Sequence, residues 1–241
     1  MRAILTYHSV DDSGSVISIS PRRFTEQVRW LASGVATVVS VPELLAMPHG
    51  SSAIALTFDD GFTNFASVAW PLLREHGLPA TLFVPTQHVG KSNRWATTPG
   101  GRMPDLPLLD WDDLARLAGE GVTLGAHTRS HADLRTLDSA ALHDEIAGSF
   151  DDLERNTGTR PVAFAYPYGS FNDRAVAVAR RTFAWACTTE LRALATANDP
   201  HLLPRLDAYF LNGPGRLDAY GSARFRLWMS ARAAVRRVRR R

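Results

Sequence analysis

Two adjacent carboxylates, Asp59 and Asp60, stand before Gly61 at the end of the apolar stretch Ala53 to Phe58. Side chains alternate along an extended backbone, so neighbours at a strand end point to different sides and suit different tasks. A metal site occupies both: one carboxylate ligates the cation while the other takes a proton from water bound to it. An isolated Asp-Asp-Gly reads instead as a turn with an Asp capping the next helix. The string HTRSH changes that balance, because His127 and His131, four positions apart, can converge on one ion from a helical turn or tight loop. With Asp60 they make three protein ligands and leave a position for water, the pattern of a catalytic rather than a structural metal. Zinc suits that donor set, and cobalt or nickel would also be accepted.

Such residues need a scaffold. Apolar runs predict strands at Ala3 to Tyr7, Val35 to Val39, Ala53 to Phe58, Ala80 to Val84, Val122 to Leu124, Val162 to Ala165 and Ala184 to Thr188. Helical periods lie between them. One starts at Ser20 and Pro21 and carries Phe24, Val28 and Leu31; another runs through Val68, Leu72 and Leu73. A third is capped by Asp110 and carries Trp111, Leu114 and Leu117; a fourth carries Leu142, Ile146, Phe150 and Leu153. Strand and helix in alternation predict one α/β domain with about seven parallel strands, open or closed as a barrel, with helices outside. In both layouts the site lies beyond the strand C-termini. The polar clusters all fall at such ends: His8, Asp59 with Asp60, His127, and Tyr166 to Gly169. The stretch Pro85 to Pro107 has no period, and a loop of that length suggests a lid or substrate insertion with Trp95 as its contact residue.

Composition sets the outer bounds. The 241 residues, 45% hydrophobic and 21% charged, suffice for one large core. No run of about 18 apolar residues predicts a membrane span. The apolar start MRAILTYHSV is too short for a signal peptide, so none is expected. Cys187 is the single cysteine, which excludes an internal disulfide and a multi-cysteine zinc site and fits a cytoplasmic location. The net charge is +3, yet six arginines lie between Arg232 and Arg241, and without them the chain is slightly acidic. Domain 1–220 is therefore read apart from a basic amphipathic tail, 221–241. In that tail Phe225, Leu227, Trp228, Met229 and Val235 interleave with arginines, as in an interfacial helix that associates peripherally with an anionic membrane, here the inner face. Polyarginine also binds phosphate non-specifically, but no motif for specific nucleic-acid recognition accompanies it.

The strings LTFDDG (56–61), GAHTRSH (125–131) and FAYPYG (164–169) resemble, in order, the first three motifs of the polysaccharide deacetylase (NodB-homology carbohydrate esterase) family, over most of the chain from Ile4 to about Asp207. The resemblance implies a deformed (β/α) barrel of seven strands that removes acetyl groups from N-acetylated sugars, with Asp59 as general base and Asp60, His127 and His131 on the metal. It also implies that the backbone N–H of Tyr168 stabilises the oxyanion. Two positions depart from the family pattern. Ala165 stands where the third motif carries an Arg that orients the catalytic Asp, and no late Leu-x-His supplies the acid. Tyr7-His8 and the segments after it resemble the poly-N-acetylglucosamine deacetylase subgroup, which makes His8 the candidate acid. Arg205, with Asp207 in support, is the candidate to replace the missing Arg from the last strand. Trp95, Trp111, Tyr166 and Arg205 are substrate-side candidates, since aromatic rings offer a flat apolar face to a pyranose. A packed strand-end histidine, helix-start packing for Trp111 and a salt bridge for Arg205 are the structural alternatives.

The function so implied is hydrolysis of the acetamide of an N-acetylhexosamine in a glycan or glycan precursor. A non-glycan amide or cyclic imide is the alternative substrate of the same constellation. The complete base and triad argue against a non-catalytic carbohydrate-binding module.

Overall fold

The structure, a computed structural model, describes residues 1–96, 103–213 and 215–239, with side chains as far as Arg236. Its strands are β1 (Arg2–Tyr7), β2 (Ser9–Val10), β3 (Ser18–Ile19), β4 (Thr37–Val38), β5 (Ala53–Phe58), β6 (Ala80–Val84), β7 (Thr123–Ala126), β8 (Ala163–Ala165), β9 (Trp185–Cys187) and β10 (Leu206–Asp207). Its α-helices are α1 (Pro21–Ala32), α2 (Val41–Ala46), α3 (Trp70–Glu75), α4 (Trp111–Gly119), α5 (Ser139–Thr157), α6 (Asp173–Thr182) and α7 (Ala223–Arg239). The main sheet runs β10-β1-β5-β6-β7-β8-β9, every pair parallel, while β2 and β3 form a separate small ladder. This is the expected deformed (β/α) barrel of seven strands, with one exchange of members. The segment expected as the second strand is β4, which pairs only with the start of β5, and the seventh place belongs to β10.

Closure depends on a short stretch. Leu203 exchanges backbone hydrogen bonds with β9, donating to Ala186 at 3.0 Å and accepting from Thr188 at 2.8 Å. Three residues later Leu206 pairs with Leu5 of β1. Residues 203–207 thus connect the two ends of the curled sheet.

Parallel strands are covered on both faces, which is why their sequences are apolar throughout. Alternation divides them between two cores. Ile4, Ala53, Ala55, Phe83, Ala163, Ala165, Trp185, Cys187 and Leu203 fill the interior, with Val41 and Leu44 of α2 packed among them. Leu5, Ile54, Leu56, Leu82, Leu124 and Phe164 face outward onto Phe24 and Val28 of α1, Leu114 and Leu117 of α4, and Leu142 and Ile146 of α5. The interior is narrow: a Cβ on Gly125 would lie 2.6 Å from the Phe83 ring, so a glycine on β7 makes room for that ring. Ser20 and Asp110 are the expected N-caps and accept from the N–H groups of Arg23 and Asp113. The helix expected through Val68 begins as a π turn, Phe65–Ala69, and becomes α-helical at Trp70; Pro71 has no N–H to donate to Ser67.

The C-terminal segment is not a detached tail. Phe225 and Met229 of α7 are buried in the outer core, Trp228 packs beside them, and the Tyr220 hydroxyl lies 3.0 Å from the carbonyls of both Met1 and Ala53. The residues that suggested an interfacial helix therefore form mostly a docking face, with Leu227 and Val235 left exposed. Arg240 and Arg241 lie outside the described residues. Among the described residues no helix is long and apolar enough to cross a membrane. Phe225→Ala is expected to destabilise the chain by about 3–5 kcal/mol, against less than about 0.5 kcal/mol for Leu227→Ala, in urea unfolding. Equal effects would mean that α7 does not dock in this way.

Candidate metal centre and hydrolytic site

The alternation that fills the barrel also aims the polar residues. Inward positions on β5 continue through Thr57 to Asp59, those on β1 through Thr6 to His8, those on β7 through Gly125 to His127, and those of the closing segment from Leu203 to Arg205. Asp59, 2% exposed, receives a bidentate ion pair from Arg205, Nη1 to Oδ1 at 2.6 Å and Nη2 to Oδ2 at 2.7 Å. Arg205 also donates from Nε to the Thr188 carbonyl at 3.0 Å and from Nη1 to Thr57 Oγ1 at 3.3 Å, with its guanidinium 5.6 Å from the centre of the Phe83 ring. Burial alone would raise the Asp59 pKa; the charge of Arg205 outweighs it and holds the carboxyl below the usual range. Arg205 is 1% exposed, so it faces Asp59 and presents no surface to a substrate. Asp207 does not bond to it but caps the following turn, accepting from Tyr209 N–H at 3.0 Å. His8 Nε2 lies 3.8 Å from the second Asp59 oxygen, with about a quarter of its side chain exposed.

Asp60 leaves the strand direction through a left-handed backbone, φ +75°. Its Oδ1 lies 3.6 Å from His127 Nε2 and 3.3 Å from His131 Nε2. Ligand atoms held about 2.1 Å from a tetrahedral zinc would be separated by about 3.4 Å, so both separations fit one ion. That Oδ1 is buried and has no hydrogen-bond partner among the described residues, an arrangement a cation would complete. Burial opposes ionisation of Asp60, yet the imidazoles, His131 foremost, hold its pKa well below the ordinary value. His127 donates from Nδ1 to the Ala165 carbonyl at 2.7 Å, which leaves the Nε2 lone pair directed at the centre. Burial pushes its pKa down to about 4, so the ring is neutral and available as a ligand. Ala165 thus contributes its carbonyl where an Arg side chain was looked for.

The HTRSH loop is anchored by α5. Glu145 Oε2 accepts from the N–H groups of Arg129 and Ser130, both at 2.9 Å. Arg129 forks onto Asp152 at 2.9 and 3.0 Å and reaches Asp144 at 2.7 Å. A Cβ on Gly148 would lie 2.9 Å from the Arg129 side chain, so α5 passes close there. Sequence reasoning did not single out these carboxylates. Their signal was present: Glu145 and Asp152 are seven residues apart on one helix face, and Asp152 is a charge on the buried side.

The aromatic candidates separate. Tyr168 stands at the rim, about half exposed, 4.6 Å from the His131 ring between centroids. Trp95 stacks on His131 at 5.0 Å and 29°. Tyr166 is fully buried in the outer core against Phe164 and Phe171, because the position after inward Ala165 points outward; it does not reach a substrate. Trp111 packs at the start of α4 against the outer core, which is helix-start packing. Part of the Pro85 to Pro107 loop, residues 97–102, lies outside the described residues. Asp60, Thr128, His131 and Tyr168 are the non-glycine residues with positive φ among those described, and all four lie in the site loops. That backbone strain is concentrated where side chains must converge.

The arrangement can hold a divalent cation beside an ionised, arginine-clamped carboxylate, with a partly exposed imidazole next to it. A match to the polysaccharide deacetylase family covers residues 46–183. The YxkH protein of Bacillus subtilis (strain 168) is 24% identical over 209 residues, which cover 84% of this chain and 70% of that protein. A poly-beta-1,6-N-acetyl-D-glucosamine N-deacetylase of Staphylococcus aureus is 23% identical over 203 residues, covering 78% of this chain and 67% of the relative. Among solved structures, the Streptococcus pyogenes deacetylase PplD in complex with acetate superposes with a TM-score of 0.72 at 23% identity, over 85% of this chain and 91% of that one.

Proposed function

The chain belongs to the polysaccharide deacetylase family, and on that premise we propose that it hydrolyses the acetamide of an N-acetylhexosamine unit in a glycan or glycan precursor, with a divalent metal, zinc, held by Asp60, His127 and His131. The observation that supports this most directly is the convergence of Asp60 Oδ1, otherwise unpartnered, with two imidazole Nε2 atoms next to the Asp59–Arg205 ion pair.

A bound metal supplies Lewis acidity and lowers the pKa of its water toward ~7. The chain supplies the rest. Asp59, kept ionised by Arg205, accepts the proton of the attacking water. Arg205 holds both carboxylate oxygens, so Asp59 keeps one orientation through the step. The Tyr168 backbone N–H serves the oxyanion. His8, on the inward side of β1 and partly exposed, protonates the departing amine.

Acetate release from N-acetylglucosamine oligomers and from lipid- or nucleotide-linked N-acetylhexosamines, measured with zinc-loaded and chelated protein, tests the assignment. Zinc-dependent acetate from one of these classes is expected and identifies the substrate. Zinc bound but no acetate from any sugar would overturn it in favour of a non-glycan amide.

A further inference from the structure

The two histidines of the proposed centre are held differently. His127 has the usual arrangement for a ligating imidazole, its second ring nitrogen hydrogen-bonded to a carbonyl at 2.7 Å. The corresponding Nδ1 of His131 is buried and has no hydrogen-bond partner among the described residues. His131 also sits on a left-handed backbone, φ +59°, a conformation uncommon for a residue other than glycine.

Rings take the place of the missing hydrogen bond. Trp95 lies nearly parallel to His131, 5.0 Å away at 29°, and Tyr168 meets its edge at 4.6 Å and 85°. Trp95 is itself fixed by the His88 ring at 4.4 Å. His88 donates from Nε2 to the carbonyl of Ser130, the residue before His131, at 3.2 Å. The stack His88–Trp95–His131 is therefore tied back to the loop that carries the ligand.

We propose that Trp95 is a positioning residue for the metal, a brace that fixes the His131 ring by stacking where a hydrogen-bond partner would ordinarily do so. This rests on the metal-centre reading above. Trp95 then acts on zinc affinity, rather than on sugar binding.

The test is the zinc Kd of the full chain by competition with a chromogenic chelator, with KM for N-acetylglucosamine oligomers measured alongside. Trp95→Leu removes the ring and is expected to weaken zinc about tenfold, as loss of a ligand-orienting partner does. Trp95→Phe keeps a stacking ring and is expected to stay within about threefold of the unaltered chain on the same measure. The visible spectrum of the cobalt-loaded chain should change in Trp95→Leu and not in Trp95→Phe. An unchanged zinc Kd in Trp95→Leu, or a raised KM at unchanged Kd, overturns the brace. Should Trp95→Leu not fold, a tenfold loss of affinity in Trp95→Phe would overturn it as well. A chain that binds zinc no better than its Asp60→Ala variant would instead overturn the metal centre, and the brace with it.

Discussion

Asp59→Asn is expected to lower kcat by about 10²–10⁴, the usual contribution of a positioned general base, and to destabilise the fold at the same time. The two losses have different origins. Asparagine cannot take a proton from water. Independently, Arg205 is left buried without its counter-ion, and breaking such a pair from one side costs about 3–5 kcal/mol. Arg205→Met strands Asp59 instead. Burial then acts with its main opponent gone, and the Asp59 pKa rises. A carboxyl held below its ordinary value contributes stability above about pH 3.9 that disappears as the pH falls through the folded value. In Arg205→Met that contribution is lost, and the acid limb of kcat/KM moves to higher pH. The double variant Asp59→Asn with Arg205→Met removes both charges and is expected to regain most of the stability and none of the turnover. Urea unfolding and initial rates of acetate release separate the outcomes; a double variant as unstable as the two single losses added together would contradict the pairing.

Removal of the metal is expected to abolish turnover and to lower the melting temperature, both reversed by zinc. A ligand present at 100 times its Kd stabilises the folded chain by about 2.7 kcal/mol. For a domain of this size each kcal/mol corresponds to roughly 2–4 °C, so zinc should raise Tm by about 5–10 °C. Asp60→Ala should show neither the rise nor the activity. A zinc-independent Tm together with undiminished turnover in chelator would refute the role given to Asp60, His127 and His131.

What could be read without the structure follows from how local each signal is. Asp59, Asp60 and His127 follow strands whose apolar runs mark them plainly, and His131 follows His127 by four residues, so period and spacing suffice to bring them together, while their roles come from the family resemblance. Tyr166 was misplaced although the information was adjacent: if Ala165 faces inward, the next residue faces out. β10 is two residues long and has no period to detect, yet the segment leading into it carries Arg205. The Asp59–Arg205 pair spans 146 positions, and nothing local to either residue specifies the other; only the family resemblance, with Ala165 where an Arg is expected, points to Arg205 as its replacement, and the structure places it on Asp59. The brace on His131 is equally silent, since Trp95 lies in an irregular stretch and only folding brings it to the ligand. On α7, spacing four residues apart for Phe225 and Met229 marked an apolar face, but spacing cannot say whether such a face meets lipid or the chain's own core.

That long separation has a temporal side. Synthesis at about 5–20 residues per second places roughly 7–30 s between the emergence of Asp59 and that of Arg205. Throughout that interval the carboxylate has no cation to accompany it into the interior, and the sheet has no segment to join its two ends. A chain that ends between His131 and Arg205 carries all three ligands of the proposed centre but not the cation that clamps its base. The clamp on Asp59 and the segment that joins the two ends of the sheet are thus made together, by residues 203–207, after every other strand of the barrel.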